Sequence, residues 1–338
     1  MIVDLSAGPL WLVILVFALA AAVVWYTGTR LAGAADEIAE VYGLGQAFVG
    51  MLLLGAVTSI PEVAVSVTAG IAGEASLAVN NLLGGVALQV VLLALGDALL
   101  DRRAFTGEPA RPSLLLQPVL CAALLSLVAA GITVGEVAVL GVGLWSTSVF
   151  VAGIAFFWIV SRSHAREVRE DGRGRTRRKG PHGLPKPVIG VAVLAPILVV
   201  AGYLLARSGD VIAEETGLGD AFVGLVLVSL ATSLPEVSTI VGAVRRGRMR
   251  MAMGDIFGTN IFDIALVFVV DVAYREGPAL ESVGSFSVVA ALLGVVLTLI
   301  YAAGLIERGD RRIGRLGVDS WAVLVVYAGG LAVLWTLR

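Results

Sequence analysis

The stretch DEIAEVYGLGQAFVGMLLLGAVTSIPEV at residues 36–63 occurs a second time, because residues 210–237 read DVIAEETGLGDAFVGLVLVSLATSLPEV. A shift of 174 residues aligns the two stretches, and 17 of their 28 positions are identical. Each copy places a proline followed by a glutamate inside an otherwise apolar run. The chain therefore contains two copies of one unit, and both copies carry the same polar motif.

The composition of the chain is typical of a membrane protein. Hydrophobic residues make up 58% of the 338 residues, charged residues 15%, and the mean hydropathy is +0.94, whereas soluble domains have roughly 45–50% apolar and about 25% charged residues. A helix needs about 20 apolar residues to cross the hydrocarbon core. The sequence predicts ten such spans, at 9–29, 46–71, 78–100, 113–131, 136–160, 187–207, 220–244, 251–273, 283–305 and 318–337.

The first apolar run is predicted to be a retained helix and not a signal peptide. Asp4 stands where a signal peptide carries basic residues, and the run is too long for one. Basic residues then predict the orientation: 21 of the 24 Lys and Arg residues fall in alternate loops. Cytosolic loops attract this excess, so we expect a multi-pass protein of the cell membrane with its N-terminus and C-terminus outside.

The repeat divides the chain into three predicted parts: a first five-helix repeat at 1–160, a basic cytosolic linker at 161–187, and a second five-helix repeat at 188–338. Because five is an odd number, the second repeat must cross the membrane in the opposite sense to the first. The predicted fold is therefore an all-α integral membrane protein with two inverted-topology repeats. This arrangement is typical of transporters whose substrate site lies near the bilayer midplane.

Glu62 and Glu236 occupy equivalent positions near the middle of the second and seventh spans. A carboxylate at that depth costs at least about 2.5–3.5 kcal/mol, so each must face a polar cavity, a partner or a bound cation. The alternative is a pair of protonated glutamic acids that only hold helices together.

Pro61 and Pro235 precede the glutamates and lack the N–H that a helix requires, so backbone carbonyls one turn earlier are expected to be free. These carbonyls, the glutamates and neighbouring hydroxyls would form an all-oxygen shell, which suits Ca2+ and also Na+. The hydroxyls belong to Thr58, Ser59, Thr232 and Ser233. The alternative is that each proline only kinks its helix for packing.

The eighth span reads GDIFGTNIFDIAL at 254–266 and adds a third mid-span carboxylate, Asp263. Thr259 lies four residues earlier and therefore on the same helical face. The repeat shift places Gln89 opposite Asp263 and Gly85 opposite Thr259. The predicted site is therefore asymmetric.

One further pair of the repeat and a set of three glycines are interpreted more simply. Asp97 and Asp271 correspond to each other near helix ends, where helix capping or solvation is expected. The glycines Gly84, Gly85 and Gly258 are expected to let helices approach closely.

The TSxPE motif in both halves, followed by GDxxGTNIFD in the second, resembles the repeats of the cation/Ca2+ exchanger superfamily, particularly the prokaryotic sodium/calcium exchangers. The resemblance covers essentially the whole chain. It implies that Glu62 and Glu236 bind Ca2+ centrally. It further implies oxygen ligands or lining side chains for Ca2+ and Na+ at Thr58, Thr232, Ser59, Ser233, Thr259, Asp263 and Gln89.

The sequence also departs from the family pattern. Gly85 lacks a hydroxyl that the family has at one Na+ site, and Gln89 offers an amide oxygen on a longer arm than the usual Asn. These changes affect the expected Na+ sites more than the central Ca2+ site.

The predicted function is secondary active antiport, in which Ca2+ exchanges for Na+ by alternating access. Proton-coupled exchange, of H+ for Ca2+ or of Na+ for H+, is the alternative, since protons could replace Na+ on the same carboxylates. A cation channel fits a closed acidic site less well. An enzyme is not expected, because the spans contain no Ser/His/Asp or Cys/His set. The transported ions and the lipid bilayer are the expected partners; no cofactor, nucleic acid or obligate protein partner is predicted.

Overall fold

A computed structural model describes residues 8–42, 55–100, 104–107, 111–139, 141–170, 186–308 and 311–338. The first part of the second predicted span, 46–54, and most of the predicted linker, 171–185, lie outside these residues. Within the described part, the chain is helical apart from short connections and two small hairpins.

The described residues form fourteen α-helices, numbered here in chain order. They are α1 Leu10–Tyr42, α2 Gly55–Thr58, α3 Ile60–Ala72, α4 Ala75–Gly96, α5 Pro112–Val134, α6 Leu144–Glu170, α7 Lys186–Thr216, α8 Asp220–Val223, α9 Ser229–Thr232, α10 Leu234–Arg245, α11 Met249–Ala265, α12 Val267–Ala273, α13 Ser285–Glu307 and α14 Val318–Leu337. A π-helical segment, Gly224–Val228, joins α8 to α9.

Eight helical segments in the described residues are long and apolar enough to cross a membrane, and the bent stretch from α8 to α10 forms a ninth. These nine agree with nine of the ten predicted spans. Of the remaining span, 46–71, the structure describes only α2 and most of α3. The all-helical membrane fold is therefore confirmed.

The proline motif breaks the helix in both repeats at the same place. α2 ends and α3 begins on either side of Ser59, whose backbone has φ −77° and ψ 4°. Ser233 has nearly the same geometry, φ −82° and ψ 6°, between α9 and α10. The second-repeat segment bends there by 43°. The cause is the proline at the start of each following helix, since it cannot donate the i to i−4 hydrogen bond.

Two antiparallel hairpins were not predicted from the sequence. β1 Ala138–Val139 pairs with β2 Val142–Gly143, and β3 Arg312–Ile313 pairs with β4 Leu316–Gly317. The two hairpins correspond under the 174-residue shift. The fifth membrane helix consequently begins at Leu144 and not at the predicted residue 136.

Asp97 and Asp271 connect the two repeats. Of the two alternatives expected for them, solvation is wrong because both are fully buried, while each accepts a backbone N–H at the start of a helix. Asp97 follows α4 and accepts hydrogen bonds from Gly317 N at 3.1 Å and Ser320 Oγ at 2.5 Å in the second repeat. Asp271 in α12 accepts the equivalent bonds from a backbone N–H and a serine hydroxyl at the start of α6 in the first repeat. Each repeat therefore fixes the last membrane helix of the other.

The helices α4 and α11 form the centre of the molecule. In the membrane spans that contain α4 and α11, 72% of the residues in the 18-residue apolar stretch are buried inside the protein. The corresponding share is 22% for α1 and 17% for α14. α1 packs along α7 at the periphery. Polar side chains on α4 and α11 are therefore held inside the protein, away from lipid.

Candidate cation-binding site

Glu62 at the start of α3 and Glu236 at the start of α10 are buried, with 1% and 0% of their surface exposed. Their carboxylates are close enough for the charges to interact with each other and with that of Asp263 on α11. The structure therefore brings together the three carboxylates that the sequence singled out. Two short helices that begin at broken positions and one central helix supply them.

The threonines of the motif pair crosswise with the glutamates. The Thr232 hydroxyl lies beside Glu62, and the Thr58 hydroxyl lies beside Glu236. Each threonine belongs to the opposite repeat from the glutamate that it faces. The two copies of the motif therefore complete one site.

Asp263 is held by one side chain from each of two elements of the first repeat. Ser59 Oγ donates to Asp263 Oδ1 at 2.7 Å, and Gln89 Nε2 donates to Asp263 Oδ2 at 3.3 Å. Gln89 thus uses its amide nitrogen on Asp263, and no donor among the described residues reaches its Oε1. That oxygen stays available as a ligand.

The hydroxyl of Thr58 marks one end of the site. It lies 3.4 Å from the carbonyl oxygen of Gly55 and 3.5 Å from the hydroxyl of Thr259. These three oxygens, with the nearby Glu236, come from α2, α10 and α11.

The hydroxyl of Thr232 marks the other end, 3.3 Å from the carbonyl oxygen of Ser229 and 3.4 Å from Asn81 Oδ1. Here Gly85 stands at the position equivalent to Thr259. A Cβ atom added at Gly85 would lie 3.9 Å from Ser233 Oγ, which is ordinary contact. A side chain as small as alanine would therefore fit at Gly85.

Several polar atoms at the centre lack hydrogen-bond partners within the described ranges. They include both carboxylate oxygens of Glu62 and of Glu236, and Ser233 Oγ. A buried polar atom without a partner costs about 1–3 kcal/mol, and more when it is charged. Converging oxygens of this kind are the ligands that hard cations such as Ca2+ use.

No lysine or arginine is among the buried polar side chains of the described residues. The carboxylates therefore have no buried cationic side chain to neutralise them. A cation or protons must supply the positive charge, since isolated buried charges are strongly unfavourable.

Asp255 on α11 is a fourth buried carboxylate near the site, and it was not assigned to the site from the sequence. Its charge interacts with that of Glu236, and it accepts a hydrogen bond from Thr239 Oγ1 on α10. One feature of the sequence could have singled out Asp255: the equivalent position in the first repeat holds the neutral Asn81, so only the second repeat carries a charge there.

Comparison with known proteins identifies the family. The family model described as sodium/calcium exchanger protein matches residues 12–162 and again residues 186–336. The inner membrane protein YrbG of Escherichia coli is 29% identical over 251 residues, which is 72% of this chain and 74% of that protein. The sodium/calcium exchanger MaX1 of Methanosarcina acetivorans is 31% identical over 85 residues, 25% of this chain and 24% of that protein.

The fold matches a solved structure along almost its whole length. The sodium-calcium exchanger NCX_Mj aligns with a TM-score of 0.64 and 18% identity, covering 96% of this chain and 99% of that one. The two family matches fall on the two predicted repeats, so the predicted resemblance is confirmed. The chain therefore belongs to the sodium/calcium exchanger family and is a cation exchanger of the membrane, not an enzyme.

Proposed function

We propose that the protein exchanges Ca2+ for Na+ by alternating access, with Ca2+ bound between Glu62 and Glu236 and both chain termini outside. The observation that carries the proposal is the group of interacting buried carboxylates, in which no donor of the described residues makes a hydrogen bond of normal geometry to the glutamate oxygens, the nearby threonine hydroxyls included. Ca2+ takes 6–8 oxygen ligands, and the site offers carboxylates, hydroxyls and helix-end carbonyls.

The ligand set assigned from the sequence fits this arrangement. Thr58 and Thr232 face the glutamates, while Ser59 and Gln89 hold Asp263. We propose that Thr259 and Ser233 line the flanking Na+ positions. Both side chains are buried within the described structure, at 0% and 1% exposure.

Coupling follows from electrostatics. Without a cation, Glu62, Glu236 and Asp263 repel one another in a poorly solvated site, which disfavours the rearrangement that exposes the site to the other side. One divalent ion or several monovalent ions relieve this repulsion. Occupied forms therefore cross readily and empty forms do not, which produces exchange.

Proton-coupled exchange is the second candidate, and Gly85 favours it. The end of the site that holds Thr232 has lost a hydroxyl that could bind Na+, while the carboxylates that could accept protons are all present.

The test is Ca2+ uptake into proteoliposomes driven by an imposed Na+ gradient and, separately, by a pH gradient. Glu62→Gln is expected to abolish uptake, since it removes a charged central ligand. The matched control is Glu215→Gln, which changes an exposed glutamate outside the site and is expected to leave uptake unchanged. Uptake driven only by the pH gradient would replace the sodium assignment, and normal uptake by Glu62→Gln would refute the site.

A further inference from the structure

A groove lies between α1 and α7 on the outer surface of the helix bundle. It is lined by α1 residues from Val16 to Val23 and by α7 residues from Pro196 to Leu204, and its volume is about 570 Å3. All of its lining side chains are apolar. Both stretches fall inside the membrane spans at 10–31 and 192–216, so the groove faces the hydrocarbon of the bilayer and not water.

The groove has a floor of small side chains and walls of larger ones. Ala20 and Ala201 form the floor, each with 3% of its surface exposed, whereas Leu19 and Val200 on the walls are 59% and 58% exposed. From Val16 to Val23 the groove runs about 10 Å along the axis of α1. A long and wholly apolar groove of this kind fits one acyl chain of a lipid.

The apolar lining alone cannot select one lipid over another, because the acyl chains of the surrounding bilayer are equally apolar. Selection requires a polar group at the level of the lipid headgroups. Arg30 supplies one, since it lies next to the end of the 22-residue span Leu10–Leu31. At 1.5 Å per residue this span is about as long as the hydrocarbon core is thick, so Arg30 is at the membrane surface.

Arg30 lies on the face of α1 that lines the groove. Val16, Val23 and Arg30 follow one another at intervals of seven residues, which is close to two helical turns, so they project from nearly the same side. Arg30 is about 10 Å along the helix axis from Val23, and the hydrocarbon of one leaflet is about 15 Å thick. An acyl chain whose headgroup contacts Arg30 therefore reaches into the groove.

The guanidinium group of Arg30 is positioned but not neutralised. Its Cζ atom lies 5.0 Å from the centre of the Tyr26 ring, and no carboxylate of the described residues forms an ion pair with it. A guanidinium that contacts a ring keeps N–H groups with which it can bind a phosphate through two hydrogen bonds. The position equivalent to Arg30 in α7 is Leu204, so this phosphate contact exists in one leaflet only.

We propose that the groove between α1 and α7 binds an anionic phospholipid, with one acyl chain between the two helices and the phosphate on Arg30. A headgroup with a net negative charge is preferred to a zwitterionic one, because a choline group would place a positive charge beside Arg30. This lipid site is separate from the carboxylates of the cation site and does not depend on which ions the protein exchanges.

The experiment measures lipid binding to the purified full-length protein by native mass spectrometry. Delipidated protein in detergent is titrated with phosphatidylglycerol and, separately, with phosphatidylcholine that carries the same acyl chains. We expect the wild type to bind one phosphatidylglycerol at a lower concentration than it binds phosphatidylcholine. Equal binding of the two lipids by the wild type would overturn the proposal.

Arg30→Gln tests the phosphate contact. We expect it to raise the half-saturating concentration of phosphatidylglycerol about fivefold, equivalent to about 1 kcal/mol, and to change that of phosphatidylcholine less than about twofold. The matched control is Arg162→Gln, because Arg162 also contacts an aromatic ring one turn earlier, that of Trp158 in α6. Equal binding of phosphatidylglycerol by these two variants would overturn the proposal.

Val200→Trp tests the groove itself, because the larger side chain fills it. We expect this variant to bind both lipids about fivefold more weakly or worse. Val199→Trp is its control, since Val199 is similarly exposed but does not line the groove. Equal lipid binding by the two tryptophan variants would refute the acyl-chain assignment.

The same mass spectra test whether a second copy of the chain occupies the groove instead. If the wild type is a dimer and Val200→Trp, but not Val199→Trp, is a monomer, the groove is a protein–protein interface and the proposal is overturned. An unchanged oligomeric state together with weaker lipid binding by Val200→Trp supports it.

Discussion

Replacing Asp271 with asparagine tests how the two repeats are joined. Asp271 Oδ2 accepts hydrogen bonds from Gly143 N and Ser146 Oγ, both at 2.6 Å, and its Oδ1 accepts one from Ala279 N at 2.6 Å. Asparagine keeps only one of the two acceptor oxygens. In either orientation of the amide, at least one buried backbone N–H then faces an NH2 group.

The expected loss of stability follows from these bonds. A hydrogen bond to a charged group contributes about 1.5–3 kcal/mol, and an unsatisfied buried donor costs about 1–3 kcal/mol more. We therefore expect Asp271→Asn to destabilise the protein by about 3–5 kcal/mol. At roughly 2 °C per kcal/mol for a chain of this size, the unfolding midpoint falls by about 6–10 °C.

The assay is thermal unfolding of the detergent-solubilised protein, with the monodisperse fraction measured after heating. Such unfolding is commonly irreversible, so heating rate and detergent are held constant between variants. Ser146→Ala is the graded comparison, because it removes one donor and leaves both backbone bonds. Its expected loss is about 1–2 kcal/mol. A midpoint for Asp271→Asn within about 1 °C of the wild type would refute the reasoning.

Two further predictions concern helix packing and pH. A Cβ atom at Gly84 would overlap the backbone of Leu225, so Gly84→Ala is expected to lower the free energy of unfolding by about 1–3 kcal/mol. Gly85→Ala is expected to leave it nearly unchanged. Equal unfolding midpoints of the two variants would contradict this prediction. Burial, and then the charges of Asp210, Asp220 and Glu214, raise the pKa of Glu74 to about 7. A carboxyl group whose pKa is higher in the folded than in the unfolded protein stabilises the fold when it is protonated. This contribution is complete below the unfolded pKa of about 4.5 and is lost as the pH rises through the folded pKa of about 7. The wild-type midpoint is therefore expected to fall between pH 5 and pH 8 more steeply than that of Glu74→Gln, and parallel pH profiles would show that Glu74 does not contribute.

The two repeats are not equivalent at the candidate site. Duplication alone would give two equivalent ends, but the positions of Asp255 and Thr259 on α11 correspond under the 174-residue shift to Asn81 and Gly85 on α4. The helix α11 therefore carries a carboxylate and a hydroxyl at positions where α4 has an amide and a glycine.

Much of this arrangement follows from the sequence because its signals are local. Apolar runs of about 20 residues predict membrane helices, and a proline before a glutamate predicts a broken helix with a buried charge. The identity between 36–63 and 210–237 predicts two copies of one unit. Glu62, Glu236 and Asp263 could therefore be selected from the sequence alone.

The hairpins show where local signals were insufficient. The segment from 136 to 143 is apolar enough to look like the beginning of a membrane helix. In the structure it contains β1 and β2, and Gly143 N is bonded to Asp271. This hydrogen bond joins residues far apart in the chain and lies at the start of α6. The sequence of the segment itself does not predict it.

The sequence by itself determined that this is a two-repeat membrane protein with carboxylates at mid-span, because hydrophobicity and repetition are properties of the chain. Only the tertiary structure decided which side chains meet: Thr58 with Glu236, Ser59 with Asp263, and Asp97 with Gly317. These partners are more than 170 residues apart. Their contacts depend on how the helices pack, and that packing is a property of the whole fold.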